Sequence, residues 1–232
     1  MQEYQELTVI IPTLNEEPNI GKLIDRITTL FPGIHIIVAD DGSKDRTQEI
    51  VKEFHEKNPN VILLDRSKEK IHGLTASVYD SIMICKTPYF FVIDGDFQHP
   101  PEKIDDGFKL LRQGCDLVVG YREKVENWGL IRKLISWGAT MIGKVSLLIR
   151  RRPRVRDIMS GFFGGNTEKV RALLRSNTKI TPQGYKILFD ILKQTPRNWR
   201  LCEFPYVFKN RVEGKSKIGK KHIIAFIKSA IF

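Results

Sequence analysis

A chain of 232 residues with 41% hydrophobic content can bury one ample α/β core, and two full domains would strain that length. Cys85, Cys115 and Cys202 are odd in number, far apart and in no metal-type spacing, which argues against a zinc site and a disulfide framework and for a reducing, cytoplasmic setting. The net charge of +11 is uneven: from Arg150 onward 20 Lys and Arg face 5 Asp and Glu, a net of +15, leaving −4 for residues 1–149. That basic last third suits nucleic acid, anionic lipid headgroups or a phosphorylated substrate, and charge alone does not choose among them.

The first six residues are polar, with no apolar stretch to mark a secretory signal. Leu7 to Pro12 is a short continuous apolar run, the pattern of a strand covered on both faces. A helix is predicted over 18–30, with Ile20, Leu23, Ile24 and Ile27 at helical spacing and Pro18 in its first turn. A second strand, 34–39, leads into Asp40-Asp41-Gly42-Ser43 and a helix over 45–58 capped by Ser43 or Asp45. A strand at 61–64, a helix at 73–86, a strand at 89–94, a helix at 101–113 and a strand at 116–120 continue the alternation. Short connections between alternating elements predict a mostly parallel sheet with helices on both faces. Helices at 168–175 and 184–193 and a strand at 200–208 complete the domain.

Ligands of such sheets sit outside the carboxyl ends of the strands. Three polar clusters occupy that position: Thr13 to Glu16, Asp40 to Ser43, and Asp94 to Gln98. The third follows Phe90-Phe91-Val92-Ile93 and reads Asp94-Gly95-Asp96-Phe97-Gln98-His99 before Pro100-Pro101. Its carboxylate and amide oxygens suit Mg²⁺ or Mn²⁺ and a diphosphate; taken alone it is equally an acidic turn after a strand. Asp40 is placed to accept hydrogen bonds from a ribose or base, or to cap a turn. No Gly-x-Gly-x-x-Gly follows the first strand and no Gly-Lys-Ser/Thr is present, so neither a dinucleotide fold nor a phosphate-cradling loop accounts for the crevice.

Val9-Ile10-Ile11-Pro12-Thr13-Leu14-Asn15-Glu16, Asp40-Asp41-Gly42-Ser43 with Asp45-Arg46-Thr47, and Asp94 to Pro101 together resemble the inverting family 2 glycosyltransferases of the GT-A fold. Val119-Gly120-Tyr121-Arg122, Arg132 to Ser136, Ser160-Gly161-Phe162-Phe163 and Arg211 to Lys217 are similar to the polyprenyl-phosphate hexose synthases, dolichyl-phosphate mannose synthases among them. The resemblance implies a Rossmann-like, mostly parallel sheet sandwiched by helices, with amphipathic helices toward the C-terminus. It implies mannose transfer, with inversion, from GDP-mannose to dolichyl (polyprenyl) phosphate for glycan or glycolipid assembly; UDP-glucose is the alternative donor. Metal is expected at Asp94, Asp96 and Gln98. Donor binding falls to Pro12, Leu14, Glu16, Val38, Asp40, Asp94, Gly95, Asp96, Arg211 and Lys217, acceptor phosphate binding to Arg122, Arg132 and Ser136, and catalysis to Asp96, Arg122 and Arg132. Asp157 is expected to order a loop on the acceptor side. Leu14 stands where an aromatic residue is common in this group, and Ile71 and His72 lengthen the turn before Gly73. Neither His72 nor His99 is expected to be a catalyst.

Residues 128–149 are apolar but interrupted by Arg132, Lys133 and Lys144, too short an uncharged run to span a bilayer and suited to amphipathic helices at a membrane surface. Arg150-Arg151-Arg152-Pro153-Arg154-Val155-Arg156 follows directly and favours anionic lipid. The catalytic domain is expected to cover 1–209. Residues 210–232 are expected to form a basic loop and a juxtamembrane helix, which is either a membrane-surface anchor or the approach to transmembrane segments beyond Phe232, and the protein is expected at the cytoplasmic face of a membrane. A nucleic-acid-binding or scaffold module would use the basic face but leaves the three acidic clusters unexplained, because acidic residues repel phosphates unless a metal intervenes; no nucleic-acid partner is expected.

Overall fold

The computed structural model describes residues 3–125, 130–176 and 186–209, the side chains of Glu3, Val125, 130–137 and 139 excepted. In chain order the elements are β1 (Leu7–Thr13), α1 (Glu17–Leu30), β2 (His35–Asp40), α2 (Thr47–Lys57), β3 (Val61–Asp65), α3 (Leu74–Ile84), β4 (Tyr89–Val92), α4 (Ile104–Arg112), β5 (Leu117–Val125), α5 (Leu130–Ile149), β6 (Phe163–Asn166), α6 (Thr167–Arg175), α7 (Ile187–Leu192) and β7 (Leu201–Phe208).

The seven strands form one sheet in the order β3-β2-β1-β4-β6-β5-β7. Pairing is parallel from β3 through β4 and between β5 and β7, and antiparallel on both sides of β6. Reversal of β6 has a positional consequence. The carboxyl ends of β1, β2, β4, β5 and β7 share one edge, and β6 adds the residues before its own start, Ser160 to Phe162, to that edge.

Continuous apolar runs form the central strands because both faces are covered. One face packs Leu7, Val9, Ile11, Val38 and Phe91 under α1, α2 and α4; the other packs Ile10, Ile37, Phe90 and Val92 under α3, α6 and α7. Each such Ile, Leu or Phe, removed from water, stabilises the fold by roughly 1.5–3 kcal/mol. Gly164 in β6 lies so close to β4 that a Cβ there would stand 2.6 Å from the Phe90 carbonyl oxygen and 2.5 Å from the Phe91 ring.

Four expectations change. Ser160 to Phe163, read as loop, leads into a strand that the sequence reading lacked. Residues 130–149 form one continuous helix instead of several. Asp45 does not cap α2 in the ordinary way; Arg46 occupies the cap position while the Asp45 carboxylate takes the Thr47 amide and hydroxyl, at 3.1 and 2.5 Å. Cys115 and Cys202, 87 residues apart, are joined as a disulfide with Cα atoms 6.1 Å apart, because the parallel pairing of β5 with β7 sets Val118 beside Cys202. Among the described residues Cys85 is the free cysteine, and it is buried.

Candidate active site

The three acidic and polar clusters meet at the carboxyl edge. Pairing of β1 with β2 sets Thr13 beside Asp40, and the Thr13 hydroxyl donates to the Ala39 carbonyl at 3.4 Å. Asn15, held at φ 51°, donates its amide to the Ser43 hydroxyl at 2.7 Å and accepts from the Lys44 amide at 2.7 Å, tying the first cluster to the second. A Cβ on Gly95 would lie 3.5 Å from both Glu16 Cγ and Thr13 Cγ2, so the third cluster abuts the first. Leu14 is exposed at this edge, Pro12 pairs with Ala39, and Val38 is fully buried in β2.

Asp40 is wholly buried and its carboxylate is engaged by its own turn: it accepts from the amides of Gly42 and Ser43, at 3.1 and 2.9 Å, from the Ser43 hydroxyl, and from Gln48 at 2.7 Å. Asp41 is braced from below by Arg66, a buried guanidinium that also binds Asp80, Ser77 and the Ile71 carbonyl. The same Asp41 carboxylate takes the Gly73 amide at 2.6 Å and lies 3.1 Å from His72 Nδ1, so the lengthened turn is pinned to the second cluster.

In the third cluster the Asp96 carboxylate accepts the Gln98 amide at 3.1 Å and closes a tight turn. Phe97 between them sits at φ 61°, a left-handed conformation that costs a bulky residue on the order of 1–3 kcal/mol and concentrates at functional loops. Asp94 is a third exposed. Its amide donates to His99 Nδ1 at 3.2 Å, and the imidazole is buried and stacked on Phe162, 5.0 Å between centroids, with Tyr206 and Phe208 against its edges. Burial holds the His99 pKa down at about 3, so the ring is a neutral support for the acidic loop. Gly161 completes the seat, since a Cβ there would approach Asp94 Oδ2 to 3.1 Å and His99 Cε1 to 3.2 Å. Gln98 is anchored to the end of β7, its side chain donating to the Lys209 carbonyl at 3.1 Å.

Two carboxylates and one amide oxygen on a five-residue loop are a hard-oxygen donor set with room for water or phosphate, which fits Mg²⁺ or Mn²⁺. Among the described residues no group of three or more His, Cys, Asp or Glu could hold a metal ion, so a bound ion here would draw ligands from beyond the protein carboxylates.

Beside this loop lies a charged pair. Arg122, at the irregularity in the second half of β5, donates to Asp157 through Nε at 2.6 Å and a terminal nitrogen at 2.9 Å, a planar two-point contact. Burial alone would lower the Arg122 pKa and raise that of Asp157; the hydrogen bonds and opposite charge win, so Arg122 is raised and Asp157 lowered. Asp157 also takes the Met159 amide at 3.1 Å, which orders the segment leading to Gly161. Lys186, just before α7, donates to the Met159 carbonyl at 2.7 Å, and burial lowers its pKa to about 8. Burial also raises the pKa of the Tyr206 hydroxyl.

Arg132 and Ser136 fall on α5, and their side chains lie outside the described residues, as do Arg211 and Lys217. Sequence reading passed over Arg66, Lys186 and Tyr206. For Lys186 a signal existed: a lysine opening the wholly buried run Ile187 to Leu192 needs a polar reason to be there.

Crystal structures of glucosyl-3-phosphoglycerate synthase from Mycobacterium tuberculosis share this architecture. One in complex with phosphoglyceric acid superposes with a TM-score of 0.67 at 20% identity, over 97% of this chain and 79% of that one. Another, in complex with Mn²⁺, uridine diphosphate and phosphoglyceric acid, gives 0.65 at 18% identity, over 97% and 75%. The sheet, its covering helices and the acidic loop at the carboxyl edge thus define a GT-A glycosyltransferase scaffold. The chain belongs to glycosyl transferase family 2, whose family model matches residues 8–174.

Relatives named dolichol-phosphate mannosyltransferase include one from Pyrococcus furiosus, 38% identical over 96% of this chain. Another, from Saccharomyces cerevisiae, is 31% identical over 96% of this chain and 84% of its own length. The chain spans 62% of the length of the Pyrococcus furiosus relative.

Proposed function

We propose that this chain is the catalytic part of a metal-dependent hexosyltransferase that moves mannose from GDP-mannose to dolichyl or another polyprenyl phosphate, with inversion. The observation that carries the reading is the Ser160-Gly161-Phe162 segment. It seats Asp94 and His99 on one side and, through Asp157 and Met159, connects to the Arg122 pair on the other, which supports reading the acidic loop as the donor side and Arg122 as the acceptor side of one site. Names of the relatives support the sugar and the acceptor class.

In this reading Asp94, Asp96 and Gln98 hold Mg²⁺ or Mn²⁺ with the donor diphosphate. A bound divalent ion supplies Lewis-acid neutralisation of the departing nucleoside diphosphate. Pro12, Leu14, Glu16 and Gly95 line the nucleoside end, with the wholly buried Val38 and Asp40 acting through the strand end and the turn that they fix. Arg122, Arg132 and Ser136 hold the acceptor phosphate, where a guanidinium matches phosphate oxygens in a planar fork. A phosphate oxygen, already anionic at neutral pH, attacks the anomeric carbon without a dedicated base; the new C–O bond forms on the face opposite the bond to the diphosphate, which breaks with its electron pair. Arg211 and Lys217 close over the diphosphate. The exposed face of α5 and the arginines after it rest on anionic lipid at the cytoplasmic face of a membrane.

UDP-glucose is the second reading. Leu14, exposed at the nucleoside end, offers no ring for stacking a guanine, and a scaffold of the same shape has been crystallised with uridine diphosphate. One assay separates the readings: the protein with dolichyl phosphate, GDP-mannose or UDP-glucose, and Mg²⁺, Mn²⁺ or chelator. Metal-dependent dolichyl-phosphate mannose formation is expected. Glucose transfer alone would replace mannose by glucose, and tight binding of short DNA with no metal-dependent nucleotide binding would remove the transferase reading.

A further inference from the structure

The turn that ends α5 is built from arginines. The amides of Arg151 and Arg152 donate to the Leu148 and Leu147 carbonyls, at 2.9 and 2.8 Å, the paired closure of a helix whose next residue turns left-handed. That residue is Arg151, at φ 52°, where glycine is the unstrained choice. The segment after α7 braces the same turn: Arg152 donates to the Thr195 carbonyl at 3.3 Å, and Arg197 returns a bond to the Arg151 carbonyl at 3.3 Å. Both bonds end on backbone oxygens, so they hold guanidinium groups without neutralising them.

The charge is left unopposed. Arg26, Arg66, Arg122, Arg156 and Arg171 are each paired with a carboxylate, whereas among the described residues no ion pair reaches Arg150, Arg151, Arg152 or Arg197. Nε of Arg152 is buried with no hydrogen-bond partner there, and so are Ser146 Oγ, on the last turn of α5, and Gln194 Oε1, next to Thr195. An orphaned donor on a charged group is costlier than a neutral one, and an anion from outside the chain offsets it. A buried water would serve the three atoms but leave the charge. Cations also offset the dipole at a helix C-terminus, yet that needs neither a left-handed arginine nor the cross-bracing. Met141, Ile142, Val145, Leu148 and Ile149 are exposed on the same helix. An anion-binding turn at the end of an apolar stripe fits an amphiphile, a phosphate carrying hydrocarbon chains.

We propose that Arg151, Arg152 and Arg197 form a discrete site, one per chain, for the phosphomonoester headgroup of a membrane lipid, separate from the reacting acceptor. A phosphomonoester carries close to two negative charges at neutral pH and three oxygens for planar guanidinium forks, more of both than a phosphodiester. The inference rests on the membrane-surface part of the reading above and narrows it from a spread of charge to one site.

Calorimetry on the full chain tests it, with dihexanoyl phosphatidic acid below its micelle-forming concentration set against dihexanoyl phosphatidylglycerol and inorganic phosphate. Expected is one phosphatidic acid per chain, bound at least about tenfold more tightly than either of the others. Arg152→Gln and Arg197→Gln should each weaken it about tenfold, and Arg175→Gln, at an exposed position on α6, should change it less than about twofold. An equal loss in Arg175→Gln would reduce the binding to general attraction and overturn the site. Inorganic phosphate held as tightly as the lipid would overturn the lipid assignment. Should Arg152→Gln not fold, Arg197→Gln, which changes an exposed side chain, decides alone. The KM for a short soluble isoprenyl phosphate should stay within about twofold in both variants; a KM that rises as lipid binding falls would make this the acceptor's own site and overturn the proposal. Wild-type protein that binds phosphatidic acid in this pattern but is inactive with every sugar nucleotide would overturn the transferase reading and leave the site standing.

Discussion

Two positions in the acidic loop test whether its geometry is there for chemistry. Asp96 is buried and accepts the Gln98 amide, a bond that an asparagine oxygen can also accept. Asp96→Asn should therefore keep the melting temperature within a few degrees while transfer falls by more than about 100-fold, since the charge is lost and the shape is not. Full activity in that variant would remove the metal assignment. Gly161 asks the converse question. A methyl group at 3.1 Å from Asp94 Oδ2 must turn that partly exposed carboxylate away, because the buried His99 ring on its other side has no room to yield. Gly161→Ala should weaken Mn²⁺ binding about tenfold, as displaced supports of metal ligands do, with about 1–3 kcal/mol of overpacking cost. Electron paramagnetic titration of Mn²⁺ beside a thermal melt separates the two effects; unchanged metal affinity would show that Asp94 is not set by this contact.

Between elements, the charged contact from β5 to the segment before β6 is the Arg122–Asp157 pair, and its pH behaviour has a definite sign. Asp157 has a folded pKa below its ordinary 3.8, held down by Arg122 and, more weakly, Lys186, with the Tyr206 hydroxyl nearby. Its contribution is fully present above the unfolded value and is lost as pH falls through the lower folded value, so the loss lies below about pH 4. Asp157→Asn should cost about 3 kcal/mol at pH 7, the price of leaving a buried guanidinium without its anion, and urea melts should show that difference shrinking toward pH 3. A difference constant with pH would mean that packing, not charge, carries the effect. The elements themselves were mostly legible. Runs such as Val9 to Ile11 and Phe90 to Val92 announce doubly covered strands, and the polar residues after them announce the functional edge. β6 was not legible: Phe163-Gly-Gly-Asn166 has neither alternation nor β-propensity, and its glycines exist to fit against β4, a neighbour some 70 residues earlier in the chain. The buried, stacked setting of His99 was not legible for the same reason, because the rings that bury it come from Phe162, Tyr206 and Phe208.

At the scale of the molecule, the two features that sequence counting handled least well are the disulfide and the surface. Pairing of β5 with β7 is a long-range register, so the Cys115–Cys202 link was invisible to spacing; a bridge enclosing 87 residues should contribute about 2–4 kcal/mol, and Cys115→Ser should lower the urea midpoint accordingly, with no further change on adding reductant. Charge asymmetry, by contrast, has a structural counterpart. On α5 the side chains of Met141, Ile142, Val145, Leu148 and Ile149 are exposed and recur at helical spacing, whereas Gly143, Ser146 and Leu147 turn inward. Arg150, Arg151 and Arg154, all exposed, follow at once. No helix among the described residues is long and apolar enough to cross a membrane, and the proposed membrane association would lay this stripe along the lipid surface. Apolar burial and attraction of roughly 1 kcal/mol per basic residue would then act together, which predicts a cooperative dependence on both. The protein should float with vesicles containing anionic lipid, lose that association in high salt, and bind neutral vesicles weakly. Replacing Arg150, Arg151 and Arg154 together by Gln should abolish flotation at physiological salt, and Leu148→Asp should do so even at low salt while leaving transfer to a short soluble isoprenyl phosphate intact. Wild-type protein that remains unbound with both vesicle types would detach the exposed stripe from any lipid role and leave the active site's acceptor to arrive from solution.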